Sequence, residues 1–176
     1  EDRISLPIVD LSSLISIENF CNEIIEKRDC IDTLILNAGL QYTGSKEPFW
    51  SDDGYELTFA VNHLSHQYLT SKLISLLEKS TSPRIVITSS EVHNPQAPGG
   101  RVGQTASLGS LNGLKTGKGF KMLDGNPTFN ADKAYKDSKL CNILLGKEIY
   151  RRFFSSSRNI PVLVWAPGLI IPKDNN

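Results

Sequence analysis

The chain has 176 residues, and nineteen Lys and Arg offset nineteen Asp and Glu, so its formal charge at pH 7 is zero. That balance excludes binding driven by global charge, to nucleic acid or to an anionic membrane, and no apolar run approaches the roughly 20 residues that span a bilayer. Three cysteines, odd in number and without metal-ligand spacing, point to a reducing compartment and to no structural metal.

Taken in order, the first pattern is a short strand, Ile4 to Val9, that ends at Asp10 and Leu11. Ser12 or Ser13 then caps a helix over Leu14 to Arg28, with Leu14, Ile17, Phe20 and Ile24 on one side. Thr33 to Leu36 reads as a buried parallel strand and stops at Asn37-Ala38-Gly39. A polar, turn-rich stretch leads to a long helical pattern from Gly54 to Lys79, which Gly54 and the polar residues Asn62, His63 and His66 are expected to divide. Ile85 to Thr88 is the next buried strand and runs into Ser89-Ser90. Strands alternating with helices at this spacing give an α/β fold with a parallel sheet. Ligands of such sheets sit beyond the carboxyl ends of the strands, which makes residues 37–39 and Ser90 rim positions.

From Glu91 to Asn130 the periodicity fails, and the stretch holds eight of the thirteen glycines. Its length exceeds ordinary connections, while Leu108, Leu111, Leu114, Phe120 and Leu123 argue against plain disorder. Short helical pieces and a hydrophobic contact surface are expected there. Asp132 to Phe154 then forms a helix, and Pro161 to Trp165 a last strand closed by Ala166-Pro167-Gly168. His63 and His66 lie three apart on a helix with no third ligand beside them, so no metal site is expected.

The chemistry gathers on Tyr135 and Lys139, which lie one helical turn apart on the same face. An ammonium placed there is expected to lower the phenol pKa and make Tyr135 a general acid or base. The spacing alone is common, so its weight comes from the other landmarks.

Asn37-Ala38-Gly39 after a strand, Asn62 in a helix, Ser90 after a strand, Tyr135 with Lys139, and Pro167-Gly168 after a strand resemble the ordered landmarks of the short-chain dehydrogenase/reductase superfamily. The resemblance is closer still to the light-dependent protochlorophyllide oxidoreductases. It rests on Asp53-Gly54-Tyr55-Glu56-Leu57, Asn62-His63-Leu64, the long insert, and the run Lys133 to Asn142. The fold it implies is a Rossmann-type, doubly wound parallel sheet, present in part: one NADP-binding domain over 1–176 with an insert at 91–130, lacking the first strand-helix elements and the C-terminal substrate region.

By position, the resemblance makes Tyr135 the proton donor and Lys139 the partner of the nicotinamide ribose. It gives Ser90 the place that orients a substrate and makes Asn62 a support for Lys139. Asp10 and Leu11 fall near adenine, with Asn37, Ala38, Gly39, Pro167 and Gly168 along the cofactor, and His93, Cys141 and Leu169 toward substrate. The cofactor implied is NADPH and the substrate a tetrapyrrole, reduced at its C17-C18 double bond after light absorption. A plastid or cytoplasmic setting follows, with peripheral contact to photosynthetic membranes and homo-oligomerisation left open.

Three departures qualify this reading. The Gly-x-x-x-Gly-x-Gly turn that binds pyrophosphate is absent, and with the missing initiator Met it leads us to expect part of a longer protein. Leu169 stands where these enzymes place a Cys, and Pro172 near where they place a Thr. Two alternatives follow: a dark reductase of an apolar ketone, aldehyde or retinoid-like alcohol, and a degenerate binding domain without activity.

Overall fold

The structure is a computed structural model that describes residues 4–154 and 160–168. Its elements are α1 (Leu14–Lys27), β1 (Thr33–Leu36), α2 (Leu57–Phe59), a π-helical turn (Ala60–Leu64), α3 (Ser65–Leu77), β2 (Arg84–Thr88), a 3-10 turn (Glu91–His93), α4 (Asn112–Lys115), α5 (Ala131–Phe154) and β3 (Val162–Trp165). The three strands form one parallel sheet in the order β1-β2-β3, with Leu36 beside Ile87 and Ile87 beside Val164. The parallel α/β architecture is the one expected.

Strand side chains alternate between faces. Leu36, Ile85 and Ile87 are buried in the main core with Ile17, Leu73 and Leu145. On the other face, Ile35 is 62% and Leu163 52% exposed, and no helix covers that row among the described residues. The three long helices stack on one side: α1 against α3, α3 against β1, and α5 against β2 and β3. Helix α5 comes so near β3 that a Cβ at Gly146 would lie 2.3 Å from Val164 Cγ2.

Two local expectations change. Residues Ile4 to Val9 form no strand. A strand needs main-chain partners, and none reaches this segment among the described residues; Leu6 and Ile8 are exposed, while Val9 and Leu11 pack on the core. Nor does the Ser12 or Ser13 side chain cap α1. The Leu14 amide donates instead to Asp53 Oδ2 at 2.7 Å, a carboxylate brought from 39 residues away to the positive end of the helix.

The long helical pattern does divide, but at the π-helical turn around Asn62 and not at Gly54. Its start is fixed by Glu56, whose carboxylate accepts from Thr58 N at 2.9 Å and Phe59 N at 2.8 Å. The insert contains the expected short pieces, Glu91–His93 and Asn112–Lys115. Most of its large apolar residues face protein, Val102 excepted: Phe120 and Leu123 bury against Phe59 and Cys141, and Met122 against Phe129 and Ala134. Each such aromatic or leucine buried is worth about 2 kcal/mol. Lys121 pairs with Glu47 at 2.6 Å, and Lys118 lies over the Tyr55 ring. No helix among the described residues is long and apolar enough to cross a membrane.

Candidate active site

The carboxyl ends of the three strands and the first turns of α5 enclose a cleft of about 340 Å³. Asn37 and Gly39 come from the end of β1, Ser90 from the end of β2, Pro167 and Gly168 from the end of β3, and Tyr135 and Lys139 from α5. Seven of the residues singled out from sequence thus meet in one place. Leu40, Gln41, Thr88 and Ser89 also line it. They simply continue strand ends already marked, so the strand boundaries were the signal for them.

Asn62 stands behind the cleft, fully buried, and ties its parts together. Its Oδ1 accepts from Leu40 N at 2.7 Å, and its Nδ2 donates to Leu40 O at 2.9 Å and to Ser138 Oγ at 3.0 Å. Ser138 Oγ in turn donates to Tyr135 O at 2.7 Å. This side chain, which joins the segment after β1 to α5, sits in the π-helical turn, a feature that recurs at functional sites. Gly39 is small because of this crowding: a Cβ there would sit 3.3 Å from both Asn62 Oδ1 and Lys139 Nζ.

The electrostatics differ from the sequence expectation. Burial pushes the Tyr135 phenol above its ordinary value, and the hydrogen bond with the Ser90 side chain pulls it partly back. Lys139 does not lower it: its Nζ lies over the ring, 5.4 Å from the centroid, and donates to Thr88 O at 3.4 Å. Burial also draws the Lys139 pKa down. A buried ammonium has three donors, and among the described residues this one has a single long bond.

A second, larger hollow of about 460 Å³ adjoins the cleft and does not hold Tyr135. Leu11, Ala38 and His66 line it, and Asn37 belongs to both. Asn37 is held by Thr88, whose Oγ1 donates to Asn37 Oδ1 at 2.8 Å and accepts from Trp165 Nε1 at 3.1 Å. That chain crosses all three strand ends, and Trp165 had no sequence signal.

Other expected site residues lie apart. Asp10 is near the second hollow in sequence, but its carboxylate is engaged by Ser12 N and Oγ, both at 2.8 Å, which hold its pKa below the usual range. The His93 ring contacts Ser90 O and does not line the cleft. Cys141 faces away from Tyr135, because six residues along α5 bring it to another side of the helix. There it lines an apolar cavity of about 350 Å³ with Phe59, Leu114 and Leu123, and burial pushes its thiol up to about 12. Leu169 and Pro172 lie outside the described residues.

Residues 1–115 match the short chain dehydrogenase family. The chain belongs to the short-chain dehydrogenase family. Within it, 151 residues are 38% identical to "Protochlorophyllide reductase A, chloroplastic" of Oryza sativa subsp. japonica, covering 82% of this chain and 39% of that protein. Protochlorophyllide reductase of Avena sativa is 37% identical over 151 residues, 82% of this chain and 48% of its own length. The chain therefore spans less than half the length of these relatives. Among solved structures, an uncharacterized protein from Mycobacterium paratuberculosis superposes with a TM-score of 0.67 at 27% identity, over 91% of this chain and 48% of its own. A metagenomic short-chain oxidoreductase in complex with NADP shares the fold with a TM-score of 0.59 at 19% identity, over 92% of this chain and 57% of its own.

Proposed function

We propose that this chain is part of an NADPH-dependent, light-driven reductase that converts protochlorophyllide to chlorophyllide at the C17-C18 double bond, with Tyr135 as proton donor. The observation that carries this reading is the meeting of Tyr135, Ser90 and Lys139 in one cleft at the strand ends. The names of the rice and oat relatives supply the substrate, and the chloroplast label of the rice protein supplies a plastid setting.

The cleft suits one end of a dinucleotide. The unmet donors of Lys139 fit a ribose with adjacent hydroxyls, and Gly39 leaves room for a close approach. Asn37, shared with the second hollow, lets an elongated ligand run from one to the other. NADPH would be held there by Lys139, Asn37, Gly39 and Gly168, and when bound it supplies the hydride. Tyr135, kept protonated by burial, delivers the proton from its Oη, with Ser90 beside it in the cleft to orient the substrate. Asn62 and Ser138 hold the α5 backbone at Tyr135 against the β1 end, so the donor stays in place through the reaction.

One observation favours a second reading, a dark short-chain reductase of an apolar ketone or aldehyde. Cys141 lies off the cleft, and no thiol among the described residues lines it. One experiment separates the two. The full-length protein is mixed with NADPH and protochlorophyllide, and the absorption band is followed in the dark and after illumination. Conversion only after light supports the first reading. No conversion, with NADPH oxidised in the dark by an apolar aldehyde, replaces it with the second.

A further inference from the structure

Lys136 follows Tyr135 in the chain, yet its side chain takes no part in the cleft and is 5% exposed. Its ammonium donates to Gly100 O at 3.2 Å, to Gln104 O at 3.0 Å and, more tightly, to Val102 O. Three main-chain carbonyls thus meet the three donors of a lysine, with no carboxylate involved. A buried ammonium without such partners would be strongly disfavoured.

The carbonyls belong to the far end of a coil that begins at Ser90. Consecutive turns build it: Asn94 N donates to Glu91 O at 2.9 Å, Ala97 N to Asn94 O at 3.0 Å and Gly100 N to Ala97 O at 3.0 Å. The coil is wound so closely that a Cβ at Gly100 would fall 1.8 Å from Asn94 O. At its near end Ser90 lines the cleft together with Tyr135. The coil therefore runs from Ser90, which shares the cleft with Tyr135, to the ammonium of Lys136, the next residue along α5.

Beyond the coil the insert has a separate anchor. Lys133 Nζ donates to Ser107 O at 2.7 Å, and Ser107 N donates to Asp137 Oδ1 at 2.8 Å. The rest of the insert stays fastened when Lys136 is removed.

We propose that Lys136 is a positioning residue that, through the 91–104 coil, sets the Ser90 hydroxyl against the Tyr135 phenol. Its catalytic consequence rests on the proton-donor reading of Tyr135 given above.

The test uses the full-length protein with Lys136→Met, Ser90→Ala and the double variant. Lys136→Met is expected to lower kcat roughly tenfold, to the level of Ser90→Ala. The KM for NADPH stays unchanged, and the double variant is no slower than Ser90→Ala alone. Lys136→Arg, which keeps the donors, recovers most of the loss. Amide exchange on the unliganded protein gives an arm independent of turnover: Lys136→Met speeds exchange at Asn94, Ala97 and Gly100 at least tenfold, while the β2 amides keep wild-type rates. Unchanged exchange in the coil, faster exchange throughout β2, or multiplicative losses in the double variant would each overturn the proposal. If the wild type turns over no substrate, the proton-donor reading fails, and the exchange arm still decides whether Lys136 holds the coil.

Discussion

The Lys139 ammonium stands 5.4 Å from the centroid of the Tyr135 ring and makes no hydrogen bond to its hydroxyl. Ser90, not Lys139, is the residue that pulls the phenol pKa down, against the larger upward effect of burial. A proton donor must stay protonated at working pH, and this arrangement keeps it so. Activity is therefore expected to hold through neutral pH and to fall only on the alkaline side, above the ordinary tyrosine value of 10.0. Ser90→Ala moves that limb higher still. Tyr135→Phe lowers kcat by about 10²- to 10⁴-fold while NADPH binding persists. Rate against pH and a fluorescence titration of NADPH check both; an alkaline limb that stays put in Ser90→Ala would refute the assignment.

Gly39→Ala is expected to damage the site more than the fold. The added Cβ would stand 3.3 Å from Lys139 Nζ, and the ammonium must move by a few tenths of an ångström. A displaced positioning group costs roughly 10²-fold in rate. We expect kcat/KM to fall by at least tenfold with the melting temperature nearly unchanged; a large loss of Tm with normal kcat/KM would contradict it.

Asn62→Ala acts on both. It removes three hydrogen bonds from a fully buried group and leaves the Leu40 amide and carbonyl without their partner. The cost is about 2 to 3 kcal/mol. Urea denaturation measures it, and a loss below about 0.5 kcal/mol would show that the link between β1 and α5 is dispensable.

His66 makes stability depend on pH. It is 1% exposed, its Nδ1 has no hydrogen-bond partner among the described residues, and burial holds its pKa at about 4, with the Lys139 and His63 charges as lesser causes. The ordinary value is 6.5, so the unfolded chain takes up a proton first as pH falls. Stability is full above pH 6.5 and is lost as pH falls from there toward 4, by about 3 kcal/mol at most. His66→Gln should flatten Tm across that window. An equally steep dependence in the variant would place the titration elsewhere.

Cys141→Ala tests which side of α5 the proposed substrate occupies. The thiol packs with Phe59 and Leu123, off the Tyr135 cleft, and burial pushes it up to about 12. The substitution should cost about 1 kcal/mol of stability, leave kcat within threefold, and abolish no thiol reactivity, since the native side chain is protected from alkylating reagents. A large loss of turnover would mean that substrate enters the insert side of α5.

Much of the site was legible because its parts lie at strand ends and on one helix face. Tyr135 and Lys139 share a face by helical period, and Asn37, Gly39, Ser90 and Gly168 follow buried apolar runs whose ends are plain in the sequence. Asn62 apart, the residues that hold those parts in place were not legible. Lys136 and Trp165 act on partners more than 30 residues away, and Asp53 caps a helix 39 residues before it. Neither composition nor period encodes which distant carbonyl a lysine meets.

The sequence by itself determined the alternation of helices with the three strands from Thr33 onward and the set of groups available for proton transfer. Those follow from local period and side-chain chemistry. Only the tertiary structure decided that burial and Ser90, rather than Lys139, tune the phenol, that Cys141 turns away from the cleft, and that Ile4 to Val9 forms no strand. Each of these depends on distance through space: a pKa on what surrounds the group, a strand on a neighbour to bond, and a pocket on which helix face the packing leaves open.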